Sequence, residues 1–127
     1  MTALSDYNII LVNLDGLRQD KVELCPNLNS LKEKGVYFSN MISASPYTLT
    51  AHHSIITGLY PSQHGINSYH HMFRFKKDVI TLPELLKHEG YFTRCDCHLE
   101  SLMTKKGFDE YNNFDEYTVD YKTRHTQ

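Results

Sequence analysis

The sequence predicts an α/β fold, an α/β/α sandwich built around a mostly parallel sheet, because strand-like and helix-like segments alternate along the chain. Residues 8–14 form a near-continuous apolar run rich in β-branched residues, which is typical of a parallel strand covered on both faces. Residues 26–34 and 49–57 have helical patterning and are each followed by a glycine. In such sheets, ligands bind beyond the carboxyl ends of the strands, so a site is expected in the loops that follow them.

The remaining elements are predicted from local signals. Helix 26–34 begins at Pro26, whose fixed backbone angle suits a first helical turn, and ends before Gly35. The other predicted elements are a strand at 36–42, a helix at 82–89 and a strand at 91–98. Residues 61–78 are predicted to be irregular, and no further strand or helix is expected from residue 107 onward.

Size and composition indicate one globular domain and narrow its partners. The chain has 127 residues, 40% of them hydrophobic, which is enough for a core. A net charge of −2 gives no basic face for nucleic acid, and no apolar run has the roughly 20 residues that span a bilayer. The N-terminus lacks the features of a signal peptide, which predicts a cytoplasmic protein with no membrane partner. The three cysteines are expected to be reduced thiols.

Two residues at the predicted edge of the sheet have the chemistry of a hydrolytic site. Asp15 follows strand 8–14, and Thr48 comes immediately before helix 49–57. Because both follow strands of a parallel sheet, we expect them at the same edge. The carboxylate of Asp15 is suited to bind a divalent metal ion. That ion would lower the pKa of the Thr48 hydroxyl, so that the hydroxyl could attack a phosphoryl or sulfuryl centre.

The helix after Thr48 offers further groups for such a reaction. Its first backbone N–H groups, that of Leu49 included, would bind the non-bridging oxygens of the substrate with help from the helix dipole. His52 lies one turn beyond Thr48 on the same face, where it can hydrogen-bond the substrate or the leaving oxygen.

Each of these residues also has a plain structural interpretation. Taken alone, Thr48 is more often a helix N-cap, which is worth about 1 kcal/mol. Asp15 before Gly16 is alone an ordinary turn at the end of a strand. Other polar side chains nearby are interpreted as structural or turn residues: His53, Ser54, Thr57 and His64.

Five sequence blocks occur in an order that resembles the N-terminal part of the sulfatase family, within the alkaline phosphatase superfamily. They lie at residues 8–15, 25–38, 45–65, 81–91 and 107–109. The most specific is the stretch at 57–65, Thr-Gly-Leu-Tyr-Pro followed by His-Gly. The resemblance implies an incomplete alkaline-phosphatase-like fold, of which residues 1–127 are the N-terminal portion of a catalytic domain.

By this resemblance, Asp15 matches the first metal ligand and Thr48 the nucleophile. His52 stands where sulfatases that use formylglycine have an arginine. Thr48 cannot be converted to formylglycine, Thr50 replaces the signature proline, and Gly16 stands where many sulfatases have a second metal-binding Asp. A threonine at the nucleophile position together with a single Asp resembles the phosphodiesterase, nucleotide pyrophosphatase and phosphotransferase branches. The implied metal is zinc or manganese in those branches and calcium in sulfatases.

Two further features of the family concern how the substrate and the metal are bound. In the pyrophosphatase branch, an Asn several residues beyond the His-Gly pair helps to hold the phosphate. The matching position here is Tyr69, so that role is not transferred, and Asn67 is kept as a substrate-binding candidate. Family members complete the metal site with an Asp-His pair and further histidines downstream of the region that this chain resembles.

Together these observations predict a metal-dependent hydrolase or transferase of sulfate or phosphate esters that works through a covalent intermediate on Thr48. Its substrate would be a small-molecule or polymer-linked ester. Because the downstream ligands are missing, residues 1–127 alone are expected to be inactive without a C-terminal half. The alternative is a non-catalytic remnant that kept the fold and acts as a binding or interaction module.

Overall fold

The computed structural model describes residues 7–68, 74–98 and 102–113, which fall into two compact units. One unit is Tyr7–Ser43, and the other contains the described residues from Ala44 onward. Within the described residues, no helix is long and apolar enough to cross a membrane.

The Tyr7–Ser43 unit is built on two short helices. Helix α1 spans Pro26–Lys34, the range predicted from its proline and from the glycine that follows it. A 3₁₀ helix at Gln19–Leu24, which the sequence did not predict, precedes it and packs against it. The side-chain amide of Asn29 donates to the carbonyl of Glu23 at 3.0 Å and so ties the two helices together.

The predicted strands at 8–14 and 36–42 are wrong for the described residues. Neither segment is a strand, since a strand requires a hydrogen-bonded neighbour and no described segment pairs with either of them. The apolar side chains at 8–14 are therefore exposed rather than covered on both faces, and Ile10 is 84% exposed. The local pattern is that of a buried strand, but burial depends on partners that lie elsewhere in the fold.

The second unit has the α/β character that the sequence predicted. Its elements are α2 at Thr48–Thr57, α3 at Pro61–His64, α4 at Leu82–His88, β1 at Arg94–Cys97 and β2 at Glu110–Asn113. The two strands pair in parallel, with Arg94 opposite Glu110. The described structure is thus a small α/β arrangement with a two-stranded parallel sheet, and the larger predicted sandwich is not confirmed.

Two predictions for this unit need correction. Residues 61–78 are not wholly irregular, because α3 forms between Pro61, which suits a first helical turn, and Gly65, which has a φ of 91°. A strand also exists beyond residue 107, since β2 follows there. Its sequence is polar, and it is held by the pairing with β1 rather than by an apolar pattern.

The core of this unit mixes apolar and polar side chains. The buried apolar residues are Ile56, Ile66, Val79, Cys95 and Leu102.

All three cysteines of the chain are free thiols, and burial raises the pKa of the Cys95 thiol to about 11. A thiol with that pKa is protonated at neutral pH and behaves as a small apolar core residue.

A polar network joins the start of α4 to the loop before β2. Thr81 is wholly buried and caps α4, because its hydroxyl accepts from the N–H of Glu84 while the Glu84 carboxylate accepts from the N–H of Thr81. The same hydroxyl donates to the carbonyl of Lys106 at 3.0 Å. The Lys106 ammonium in turn bonds the carbonyl of Val79 at 2.6 Å and lies 3.3 Å from the Glu84 carboxylate.

Asp109 continues this network to the residue before β1. Its carboxylate accepts from the backbone N–H and the hydroxyl of Thr93, both at 2.9 Å, and pairs with the ammonium of Lys87. The bond to Lys87 is the main reason, followed by the N–H of Thr93, why the pKa of Asp109 falls from 3.8 to about 2. The ionised form is therefore the one that the folded chain favours.

This pKa predicts an acid-dependent loss of stability that Asp109→Asn should remove. The unfolded chain binds the proton more readily than the folded chain. The stability that the ionised Asp109 contributes is therefore fully present above pH 3.8 and is lost as the pH falls toward about 2. Urea denaturation at a series of pH values should show this slope in the native chain and a flatter one in Asp109→Asn. Equal slopes in the two proteins would contradict the role of Asp109.

Candidate active site

Helix α2 begins at Thr48, and its N-cap is Tyr47 rather than Thr48. Tyr47 has extended backbone angles, φ −110° and ψ 133°, and makes no side-chain capping bond. Its own N–H donates to the hydroxyl of Ser45 at 3.3 Å. The structural alternative, in which Thr48 is a plain N-cap, is therefore wrong. Thr48 is the first helical residue, and the helix starts one residue earlier than predicted.

The first turn of α2 begins with backbone N–H groups that lie ahead of the first intrahelical bond. The first intrahelical bond runs from the N–H of Ala51 to the carbonyl of Tyr47 at 2.8 Å. The N–H groups of Thr48, Leu49 and Thr50 precede it, so none of them has an acceptor within the helix. Together with the helix dipole, such groups attract phosphate and similar anions. This supports the predicted substrate-binding role of Leu49, which stays a prediction.

His52 lies one turn along α2 from Thr48, as predicted. The two residues are four apart in a continuous helix, which places their side chains on the same face. Both side chains are half-buried. The helical spacing is thus confirmed, while the catalytic roles of Thr48 and His52 stay predictions.

Thr50, which replaces the signature proline of the sulfatases, lowers the stability of the folded chain. Its side chain is 1% exposed, and its hydroxyl has no hydrogen-bond partner among the described residues. An unsatisfied buried hydroxyl costs about 1 to 3 kcal/mol. The sequence marked this position only as the replacement of a signature proline, because burial cannot be derived from the local pattern.

The polar residues behind the first turn, which were interpreted as structural, make hydrogen bonds within α2 and to α3. One ring nitrogen of His53, Nδ1, donates to the carbonyl of Leu49 at 2.7 Å. The hydroxyl of Thr57 donates to the carbonyl of His53 at 2.6 Å. Ser54 is hydrogen-bonded to His64. His64 is wholly buried rather than a simple surface turn residue, which the sequence reasoning missed, although the His-Gly pair at 64–65 was a signal for it.

The other predicted site residues are Asp15 and Asn67, and the relation of each to Thr48 stays a prediction. Asp15 is exposed, occupies a turn with Gly16, and belongs to the Tyr7–Ser43 unit, whereas Thr48 belongs to the other unit. Their convergence therefore stays a prediction. Asn67 is exposed and follows the buried Ile66, and its role in substrate binding also stays a prediction. Tyr69 lies outside the described residues.

The described residues do not form a complete metal site. Among them, no group of three or more His, Cys, Asp or Glu side chains is arranged to hold a metal ion. A catalytic cation needs several such ligands, so Asp15 alone does not fit the requirement. The divalent ion that the resemblance implies stays a prediction.

Comparison with known proteins places these elements in a family. The family model of the type I phosphodiesterases and nucleotide pyrophosphatases matches residues 9–89. An uncharacterised pyrophosphatase/phosphodiesterase of Schizosaccharomyces pombe is 38% identical over 91 residues, which are 68% of this chain and 19% of that protein. Member 3 of the ectonucleotide pyrophosphatase/phosphodiesterase family from Bos taurus is 41% identical over 63 residues, 46% of this chain and 7% of its own length. Human member 1 is 42% identical over 62 residues, with 45% and 7% covered.

The chain thus spans less than a fifth of the length of these relatives. No solved structure matches it. The resemblance to the alkaline phosphatase superfamily is confirmed through its phosphodiesterase branch, whereas membership of the sulfatases is not shown. The matched range contains Asp15, Thr48 and His52. The chain belongs to the type I phosphodiesterase/nucleotide pyrophosphatase family.

Proposed function

We propose that the protein hydrolyses phosphodiester or pyrophosphate bonds, with Thr48 as the nucleophile. The observation that carries this proposal is the start of α2 at Thr48, which places a hydroxyl beside the first N–H groups of the helix, groups that have no acceptor within the helix itself. The names of the matched relatives, pyrophosphatases and phosphodiesterases, favour a phosphate ester over a sulfate ester.

The reaction has two steps. The oxygen of Thr48 attacks phosphorus and loses its proton, the bond from phosphorus to the leaving oxygen breaks, and the leaving oxygen takes up a proton. Water then attacks the phosphothreonine ester, which restores the hydroxyl and releases the phosphorylated product. The N–H groups of the first turn, Leu49 included, stabilise the charge on the non-bridging oxygens. His52 hydrogen-bonds an oxygen of the substrate or of the leaving group.

Asp15 remains the proposed first ligand of a divalent cation. The described residues do not assemble the rest of that site, so no step of the reaction is assigned to the cation. Asn67 remains a proposed contact to the substrate.

The test is an assay of the full-length protein on two aryl esters with the same leaving group, one a phosphodiester and one a sulfate. We expect faster release from the phosphodiester, and acid quenching during turnover should leave a phosphoryl group on the peptide that contains Thr48. The same peptide from Thr48→Ala is the control for labelling at other positions. Faster hydrolysis of the sulfate would contradict the substrate class, and an adduct on another residue would contradict the nucleophile. Failure to hydrolyse either ester would favour the non-catalytic alternative.

A further inference from the structure

His64 is the last residue of α3 and is 0% exposed. Its Nδ1 accepts a hydrogen bond from the backbone N–H of Ile66 at 3.1 Å. In a neutral imidazole the proton is then on Nε2, which lies 3.0 Å from the hydroxyl oxygen of Ser54 and donates to it. Both ring nitrogens are thus used, one within the turn after α3 and the other on α2.

Residues 74–76 lie against the turn that contains His64. The backbone N–H of Lys76 donates to the carbonyl of His64 at 3.1 Å. A side chain at Gly65 would come within 2.6 Å of the carbonyl oxygen of Arg74, so only glycine allows this approach. The ring of Phe75 packs on that of His53 at 5.3 Å, and the rings of His53 and His64 are 5.9 Å apart. These contacts surround the turn that holds His64, whose side chain is 0% exposed.

A proton added to this ring would break the arrangement. It would have to enter at Nδ1, where a second N–H would face the N–H of Ile66 and remove that hydrogen bond. Among the described residues, the titratable groups that bear on His64 are His53 from α2 and Lys76 from segment 74–76, and neither supplies a negative charge. Burial first, and then the charges of these two residues, lower the pKa of His64 below its ordinary value of 6.5. Burial likewise lowers the pKa of His53, to which the neighbouring His52 also contributes.

We propose that His64 is a positioning residue for the helix that presents Thr48, and that it acts through Ser54 only as the neutral imidazole. Ser54 lies in the second half of α2, and a hydrogen-bonded helix moves as one body. Holding Ser54 against α3 therefore fixes the direction in which the first turn of α2 points. The link to catalysis rests on the proposed function of Thr48, whereas the link to the position of α2 does not.

The first test is nuclear magnetic resonance on the full chain labelled with ¹⁵N in its histidines. The nitrogen shifts of His64 should show the proton on Nε2 at neutral pH, and the ring should titrate below 6.5. A ring protonated on Nδ1 at neutral pH, or one that titrates at or above that value, would overturn the proposal.

The second test follows hydrogen exchange of the α2 amides, from that of Ala51 to that of Gly58. After correction for intrinsic rates, the exchange of these amides should become faster as the pH falls from about 7.5 to about 5. The expected increase is about tenfold for each unit by which the pKa of His64 lies below its value in the unfolded chain. His64→Gln should show the fast exchange already at neutral pH and lose most of the pH dependence. The control is His88→Gln on α4, since His88 is an exposed histidine that bonds only to Glu89 among the described residues.

If His64→Gln fails to fold, Ser54→Ala carries the test. It keeps the imidazole and removes only its partner on α2, so the α2 amides should again exchange faster at neutral pH. Unchanged exchange in Ser54→Ala, or an equal effect of His88→Gln, would overturn the proposal. In the full-length enzyme, His64→Gln should lower kcat about tenfold with KM nearly unchanged, and it should flatten the acidic limb of the kcat profile.

A KM effect with unchanged kcat would contradict the positioning role. The exchange experiments need no substrate, so their result stands even if Thr48 proves not to be the nucleophile.

Discussion

Replacing Thr48 with alanine is expected to lower kcat of the full-length enzyme by about 10³-fold or more, because the covalent route loses its attacking oxygen. Initial rates on an aryl phosphodiester at saturating substrate would measure the loss. KM should change little, since the N–H groups of the α2 first turn belong to the backbone and remain in place.

The structure makes Thr48→Ala a clean test. Because Tyr47 is the N-cap of α2, alanine at position 48 removes no capping residue and is a good helix former at a first helical position. The change in stability should therefore stay within about 1 kcal/mol. The matched control is Thr48→Ser, which keeps a hydroxyl and should keep measurable turnover. Full activity in Thr48→Ala, with a melting curve like that of the native enzyme, would rule out Thr48 as the nucleophile.

Gly107→Ala is expected to destabilise the unit from Ala44 onward by about 3 kcal/mol or more. A Cβ atom at this position would lie 2.7 Å from the backbone nitrogen of Glu84 and 2.8 Å from the hydroxyl oxygen of Thr81. The wholly buried Thr81 cannot move aside without losing its bonds to Glu84 and Lys106. Gly107 also has a φ of 92°, which side-chain-bearing residues rarely adopt.

Gly90→Ala separates the two contributions. Gly90 has a similar φ of 86°, but a Cβ there would meet nothing within 4 Å. Its substitution should cost only the conformational part, about 1 to 2 kcal/mol. Urea denaturation of both variants gives the cost of the contact as their difference. If the two variants lose the same stability, the close approach of the 104–109 loop to α4 contributes nothing.

The longer helices, α1, α2 and α4, were the part of the fold that the sequence could predict. Helix α1 matches its predicted range, because Pro26 and Gly35 mark its boundaries locally. Strands were harder, because their stability comes from pairing across the chain. The apolar run at 8–14 predicted a strand that the described residues do not pair, whereas the polar β2 was missed although it pairs with β1.

In the candidate site, too, local relations could be predicted from the sequence and long-range relations could not. The relation between Thr48 and His52 follows from helical spacing within one segment, and the structure confirms it. The buried position of His64 depends on contacts with Ser54 and with Lys76, which lies twelve residues farther along the chain, and no local pattern contains these contacts. The convergence of Asp15 with Thr48 is likewise a long-range relation between two units, and it stays a prediction.

The exposed apolar run at 8–14 affects the tendency of the chain to associate in solution. Exposed, β-branched segments of this kind are templates for intermolecular cross-strand association, and the segment 9–12 has no charge to oppose it. Purification at low protein concentration, or behind a highly soluble fusion partner, is the appropriate route to material for spectroscopy. Light scattering against concentration would show at what point colloidal assembly begins.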